Sequence, residues 1–198
     1  IIDHTILFRG YEQYLPTFNS ISIETMLWRI PGLSDRFVYF NDDVFLAAPA
    51  TEAVWFEGDN THIYAERFPT WCLLRWGKHL GRRHKEFGHK DPMLNSAEVM
   101  SSPHFFLFPH APLPMRRTWY EKFYAESPVW IDYNARHRFR EPSQLSIPTL
   151  FYIGAHREGT LEVRSPKGTT CFFKPSTKKA ANYMARKLAE ADANDALM

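Results

Sequence analysis

The stretch FVYFNDDVFL, residues 37–46, constrains the chain more than any other, because an asparagine and two adjacent carboxylates interrupt an apolar, strand-like run. Phe37, Val38, Tyr39 and Phe40 are aromatic or β-branched, as a buried strand prefers, and Val44, Phe45 and Leu46 resume the apolar pattern. The acidic break therefore falls at the C-terminal end of a strand, where open α/β sheets place their ligands. Asn41, Asp42 and Asp43 admit two readings. Asn and Asp turn a chain readily by bonding their own backbone. A hard divalent cation of the Mg²⁺ type takes one or two carboxylates plus substrate phosphates, which makes Asp42 and Asp43 candidate metal ligands. The flanking FVYF and VFL favour the cation, since a solvent-facing turn needs no apolar run on either side.

Size bounds what can surround this element. A chain of 198 residues with 44% hydrophobic content can bury one substantial core or at most two small ones, and one compact domain is expected. A net charge of +2 and a pI near 8.5 impose no global field toward nucleic acid or membrane. Cys72 and Cys171 are far apart and form no CxxC, which argues against a disulfide framework or a zinc knuckle and fits a reducing compartment. No apolar run approaches the roughly 20 residues of a membrane-spanning helix, and IIDHTILFRG lacks a basic lead into a signal-like core. The chain does not begin with Met, so a piece of a longer protein is expected.

Along the chain, residues 1–14 mix strand-like IIDHTILF with a polar turn. LPTFNSISIETMLWRIPGLSDR then predicts a helix capped by Ser20 or Ser22, with Ile23, Met26, Leu27 and Ile30 on one face and Pro31-Gly32 as its stop. Residues 47–103 carry Pro49, Gly58-Asp59-Asn60 and Pro69 and read as inserted loops. Within them, residues 75–90, RWGKHLGRRHKEFGHK, form a basic loop that is either solvated surface or a landing strip for phosphate, an anionic polymer or a lipid headgroup. Its His79, His84 and His89 recur every five residues, a spacing that would splay them on a helix rather than align them for zinc. Phe105–Phe108 predict a short strand and Met115–Ala125 a helix, with His110 between them in a proline-clamped turn. A histidine among aromatics is commonly structural, but this one stands at a strand end, as the acidic pair does. NARHRFREPSQ gathers Arg136, His137, Arg138 and Arg140, whose forks match phosphate oxygens or simply cover a surface. Acidic pair, histidine and arginines together are an inventory for phosphoryl transfer, which rests on positioning and charge neutralisation.

At these residues the sequence resembles the Stealth proteins, a family that includes bacterial capsular polysaccharide phosphotransferases and the animal N-acetylglucosamine-1-phosphotransferase. LPTFNSISIETMLWRIPGLSDRFVYFNDDVFL, about residues 15–46, resembles the second conserved region, with FNS, IE, RIPGLS and YFNDD in order. PHAPLPMRRTWYEKFYAESPVWIDYNARHRFREPSQLSIPTLFYIGAH, within about 104–157, resembles the third, and His110 and Arg140 stand at the family's spacing between catalytic histidine and arginine.

The resemblance implies transfer of a sugar-1-phosphate from a nucleotide sugar, a UDP-sugar, to a glycan hydroxyl, with release of a nucleoside monophosphate, in capsular or cell-surface polysaccharide synthesis. It implies that Asp42 and Asp43 hold Mg²⁺ or Mn²⁺ against the pyrophosphate, Asn41 orients them, Arg140 neutralises the transferring group and His110 is the general base, a role suited to imidazole near neutral pH. Asn19, Ser20 and Glu24 would line or brace the donor pocket, and His137 and Arg138 would add phosphate contacts. The implied fold is α/β, a Rossmann-like, GT-A-like nucleotide-sugar transferase sheet with flanking helices. The family's first and fourth regions are not found; an alanine-rich helix over about 176–195 stands in place of the fourth, so a truncated catalytic-domain fragment is expected over 1–198. The expected setting is cytoplasmic, peripheral at the inner face of a bacterial membrane through the basic loop, with no nucleic-acid partner. The rivals are a metal-dependent glycosyltransferase releasing a nucleoside diphosphate and a polyanion-binding module that uses only the basic residues.

Overall fold

The computed structural model describes residues 1–71, 88, 90–167, 185, 186 and 189. The basic stretch 75–90, with its three histidines, lies outside the described residues apart from Gly88 and Lys90. So does the 176–195 helix, apart from Ala185, Arg186 and Ala189, which are helical. The protein mixes helices with small sheets, an α/β composition, and its chain divides into two compact units.

The first unit comprises Ile1–Phe37, Arg67–Phe106 and Met115–Glu158, and its described residues include the helices α1 (His4–Leu7), α2 (Ser20–Met26), α3 (Asp91–Val99), α4 (Arg117–Glu126), α5 (Val129–Ala135) and α6 (Ile147–Arg157). The strand-like start IIDHTILF is helical instead, because Asp3 caps it: its Oδ1 accepts from Thr5 N–H at 2.8 Å and from the Thr5 hydroxyl at 2.6 Å. The cap of α2 is Asn19, one residue before the serine anticipated, and its side chain accepts from Ile21 N–H at 3.1 Å. Helix α6 is buried over most of its length, starts with Pro148 in its first turn and is capped by Ser146. Its Phe151 meets Tyr120 of α4 edge to face at 4.5 Å, and Tyr120, Tyr152, Phe8, Phe105, Phe106 and Met26 complete a fully buried aromatic core. Strands β4 (Glu66–Pro69) and β5 (His104–Leu107) form a two-stranded ribbon.

The second unit comprises Val38–Glu66, Leu107–Pro114 and the described residues from Gly159 onward. Its sheet has the order β2 (Phe56–Glu57), β3 (Asn60–Tyr64), β7 (Leu161–Arg164). β2 and β3 pair antiparallel around Gly58, which takes φ +54° at the first central position of a two-residue turn, where glycine is required. β3 and β7 pair parallel, with Ile63 opposite Val163. Phe56, Ile63, Ala65 and Leu161 are buried. Among its described residues the 47–103 stretch contains β2, β3, β4 and α3 where inserted loops are expected, because its turn residues punctuate short paired strands.

Strands β1 (Arg36–Tyr39) and β6 (Leu113–Arg116) form a further two-stranded sheet. β6 takes up Met115 and Arg116, so the helix expected from 115 begins at Arg117. Val44–Leu46, expected to resume a buried strand, have no regular structure; Phe45 is 74% exposed and Leu46 41%. An apolar run cannot by itself report which surface will cover it.

Candidate functional site

The candidate residues fall into two clusters, one in each unit. In the second unit the chain leaves β1 and turns at once: Val44 N–H donates to the Asn41 carbonyl at 3.2 Å, and the Tyr39 hydroxyl donates to Asn41 Oδ1 at 2.9 Å. The turn is thus real, with Asn41 fixed inside it and Asp42 and Asp43 exposed on it. His110 sits in the bend between Pro109 and Pro112. Its Nε2 lies 2.7 Å from Asp43 Oδ1, across 67 residues of sequence, and both side chains are open to solvent. An ionised carboxylate can only accept, so this contact assigns the proton to Nε2 and leaves the Nδ1 lone pair available. The hydrogen bond from His110 also holds the Asp43 carboxyl below the usual carboxylate range.

Among the described residues, no three His, Cys, Asp or Glu side chains converge as a metal-ligating group. The donor set is two adjacent exposed carboxylates, one oxygen of Asp43 being engaged by His110. That set suits a hard cation that keeps several waters and takes further ligands from phosphate.

In the first unit Asn19 is fully buried. Its Nδ2 lies 3.0 Å from the His137 carbonyl, 2.8 Å from the Phe139 carbonyl and 2.9 Å from Gln144 Oε1. The Ser22 hydroxyl lies 2.8 Å from the His137 carbonyl and 3.0 Å from that of Asn134. Gln144 Nε2 donates to the Asn134 carbonyl at 2.9 Å, and Asn134 Nδ2 donates to the Leu145 carbonyl at 3.0 Å and to Thr25 Oγ1 at 3.2 Å. Asn19, Ser22, Thr25, Asn134 and Gln144 all have no exposed surface, so a satisfied polar network stitches residues 137–145 to α2. Sequence reasoning missed Thr25, Asn134 and Gln144. Asn134 and Gln144 flank the arginine block, but the partners that tie them to α2 and its cap, Thr25 and Asn19, lie 109 and 125 residues away and leave no local signal.

The segment held this way displays the arginine cluster. Arg140 Nη2 donates to Ser20 Oγ at 3.0 Å, joining two candidates from opposite ends of the chain. Arg138 is exposed, and its guanidinium lies 5.7 Å from the Phe18 ring. His137 is half-buried, and burial first, then the Arg136 charge, pushes it below the ordinary histidine value. Glu24 stands one turn after Ser20 on α2, half-buried, and its carbonyl accepts from Leu27 N–H. The structure thus brings Asp43 to His110 in one unit and Arg140 to Ser20 in the other, and commits Asn19 to holding the 137–139 backbone.

The histidine–carboxylate pair with its neighbouring carboxylate, and separately the braced arginine cluster, are side chains of the kinds that can meet a cation or phosphate oxygens. Comparison with known proteins makes this particular. Residues 1–64 match the model for Stealth protein conserved region 2, a span that contains the FNS, RIPGLS and YFNDD elements, and the chain belongs to the Stealth family. It is 31% identical to the capsular polysaccharide phosphotransferase LcbA of Aeromonas hydrophila, over 92% of this chain and 49% of the relative. It is 26% identical to the receptor polysaccharide phosphotransferase WefC of Streptococcus gordonii, over 84% of this chain and 56% of the relative. With fcs1 of Haemophilus influenzae, a capsular polysaccharide phosphotransferase, identity is 30% over 76% of this chain and 41% of the relative. The chain spans about half the length of the curated relatives it matches.

Proposed function

We propose that the whole protein transfers a sugar-1-phosphate from a nucleotide sugar to a glycan hydroxyl in the synthesis of a capsular or other surface polysaccharide. The observation that carries this reading is the 2.7 Å contact between His110 and Asp43, beside the open carboxylate of Asp42, in a chain whose relatives are named phosphotransferases. In the reaction the acceptor oxygen attacks the phosphorus that bears the sugar, the pyrophosphate bond breaks, and the nucleoside monophosphate leaves with the bridging oxygen.

His110 is the general base. Asp43 accepts from Nε2–H, fixes the tautomer and stabilises the imidazolium, so the acceptor proton goes to Nδ1. Asp42 and the second oxygen of Asp43 would hold Mg²⁺ or Mn²⁺, which when bound neutralises pyrophosphate charge. Asn41 positions both by fixing the turn. Arg140, oriented by Ser20, neutralises charge on the transferring group, with Arg138 and His137 as further phosphate contacts. Asn19 and Glu24 act from α2 as positioning residues. The donor is a UDP-sugar in this reading, and the sheet is part of a Rossmann-like, GT-A-like fold, to which the parallel β3–β7 pair is suited.

Among the described residues no helix is long and apolar enough to cross a membrane. The protein works in the cytoplasm in this reading, at the inner membrane face, and the basic stretch 75–90 meets anionic polymer or lipid headgroups. The test is single substitution in the full-length parent protein. Asp42→Ala, His110→Ala and Arg140→Ala should each abolish acceptor-dependent transfer while circular dichroism stays native. Near-normal rates in any two of the three would overturn the assignment.

A further inference from the structure

Two large aromatic rings stand in the open beside the arginine cluster. Phe18 is 68% exposed and Phe139 is 65% exposed, yet they stack on each other, with centroids 5.8 Å apart and planes 18° from parallel. The backbone holds them there: Phe18 N–H donates to the Arg138 carbonyl at 3.0 Å, and the buried Asn19 amide reaches the Phe139 carbonyl at 2.8 Å. Displaying two phenyl rings to water on a braced scaffold is unfavourable unless something covers them. The cations around them are ordered as well. The Arg138 guanidinium lies 5.7 Å from the Phe18 ring, Arg140 bonds Ser20 next to Phe18, and Arg136 lies 5.1 Å from the Tyr133 ring on α5.

The surface therefore alternates flat rings with guanidinium groups. A sugar ring presents a face of C–H hydrogens to the negative face of an aromatic ring. A phosphodiester presents oxygens that match an arginine fork. A polymer of sugars joined through phosphate repeats both features, whereas a single nucleotide offers one ring and one cluster of charge.

We propose that Phe18 and Phe139 form a platform on which a sugar ring of the anionic acceptor glycan stacks, with Arg138 taking the adjoining phosphodiester. The platform rests on the phosphotransferase reading for its substrate, but its residues are not the catalytic ones. It sets which acceptors are used and in what register they lie.

The test uses the full-length parent protein and its Phe18→Ala/Phe139→Ala double variant, with a hexose-1-phosphate oligomer as acceptor probe and a neutral dextran oligomer of equal length as control. Acceptor KM should rise by about tenfold or more, the equivalent of about 1.4 kcal/mol of lost binding. Donor KM should stay within about twofold, and Phe139→Trp should restore most of the acceptor effect. Electrophoresis through gel containing the oligomer should show retardation of the parent, little of the variant, and none of either with dextran. An unchanged acceptor KM would overturn the platform. So would a rise confined to donor KM, which marks a nucleobase site, or lost retention on anionic vesicles without loss on the oligomer. If the parent transfers no sugar phosphate but the variant loses oligomer retardation, the phosphotransferase reading fails and the glycan platform stands.

Discussion

The two candidate clusters are built in opposite ways. The Asp42–Asp43 turn is held by the Val44–Asn41 backbone hydrogen bond, the Tyr39–Asn41 contact and the Asp43–His110 hydrogen bond, and its functional groups are exposed. The arginine cluster is displayed on a segment pinned from beneath by fully buried side chains, Asn19 and Gln144 among them. A solvated acidic turn can exchange ligands and waters without disturbing a core. A cluster of mutually repelling cations needs a rigid base to stay together. Substitutions should accordingly separate chemistry from stability, according to which cluster they touch.

The largest effect should come from Asp43→Asn. The amide presents a donor or a weaker acceptor to His110 Nε2, loses the tautomer preference and should lower kcat on the order of 10²–10⁴-fold, with Tm nearly unchanged. A drop in Tm in place of activity would erase the contrast between the clusters.

Asn19→Ala should do the reverse. It removes a cap, takes one of two donors from the His137 carbonyl and takes the Asn19 donor from the Phe139 carbonyl, a cost of about 2–4 kcal/mol and a Tm lower by about 4–12 °C in thermal unfolding. Asn19→Asp keeps the cap but turns a buried carboxylate oxygen on the same acceptors, and should cost at least as much as Asn19→Ala.

The smallest effect is in pH. Burial lowers His137, and burial with the charges of Arg67, His156 and Arg157 lowers His104. A histidine lowered on folding binds fewer protons in the folded than in the unfolded state. Its contribution is complete above the unfolded value, about 6.5, and is lost as pH falls through the folded value. Tm should therefore decline on acidification below about pH 6.5, and substituting His104 by Gln should flatten part of that slope.

What the sequence disclosed follows the same division. Asp42, Asp43 and His110 could be read because local features mark them: carboxylates inside an apolar run, and a histidine between prolines. The Arg140 cluster was visible for the same reason. The base beneath it was not, since Asn134 and Gln144 earn their meaning only from α2, more than a hundred residues earlier in the chain. Ser20 looked like the cap because serine precedes the helical pattern, but Asn19 is one residue nearer the true start and also reaches the 137–139 backbone. The α/β composition was legible from alternating strand and helix patterns. Strand β6 was not, because Met115 and Arg116 also fit the start of the helical pattern that follows them.

The most direct test of the central claim is the identity of the nucleotide released. The full-length parent protein, incubated with a panel of nucleotide sugars, Mg²⁺ and a capsule-type acceptor, should release a nucleoside monophosphate, resolved by chromatography, in a reaction that needs both acceptor and metal. Release of the diphosphate would contradict the account. It would place bond breaking at the sugar carbon and leave Arg140 without the transferring phosphoryl group it is assigned to neutralise.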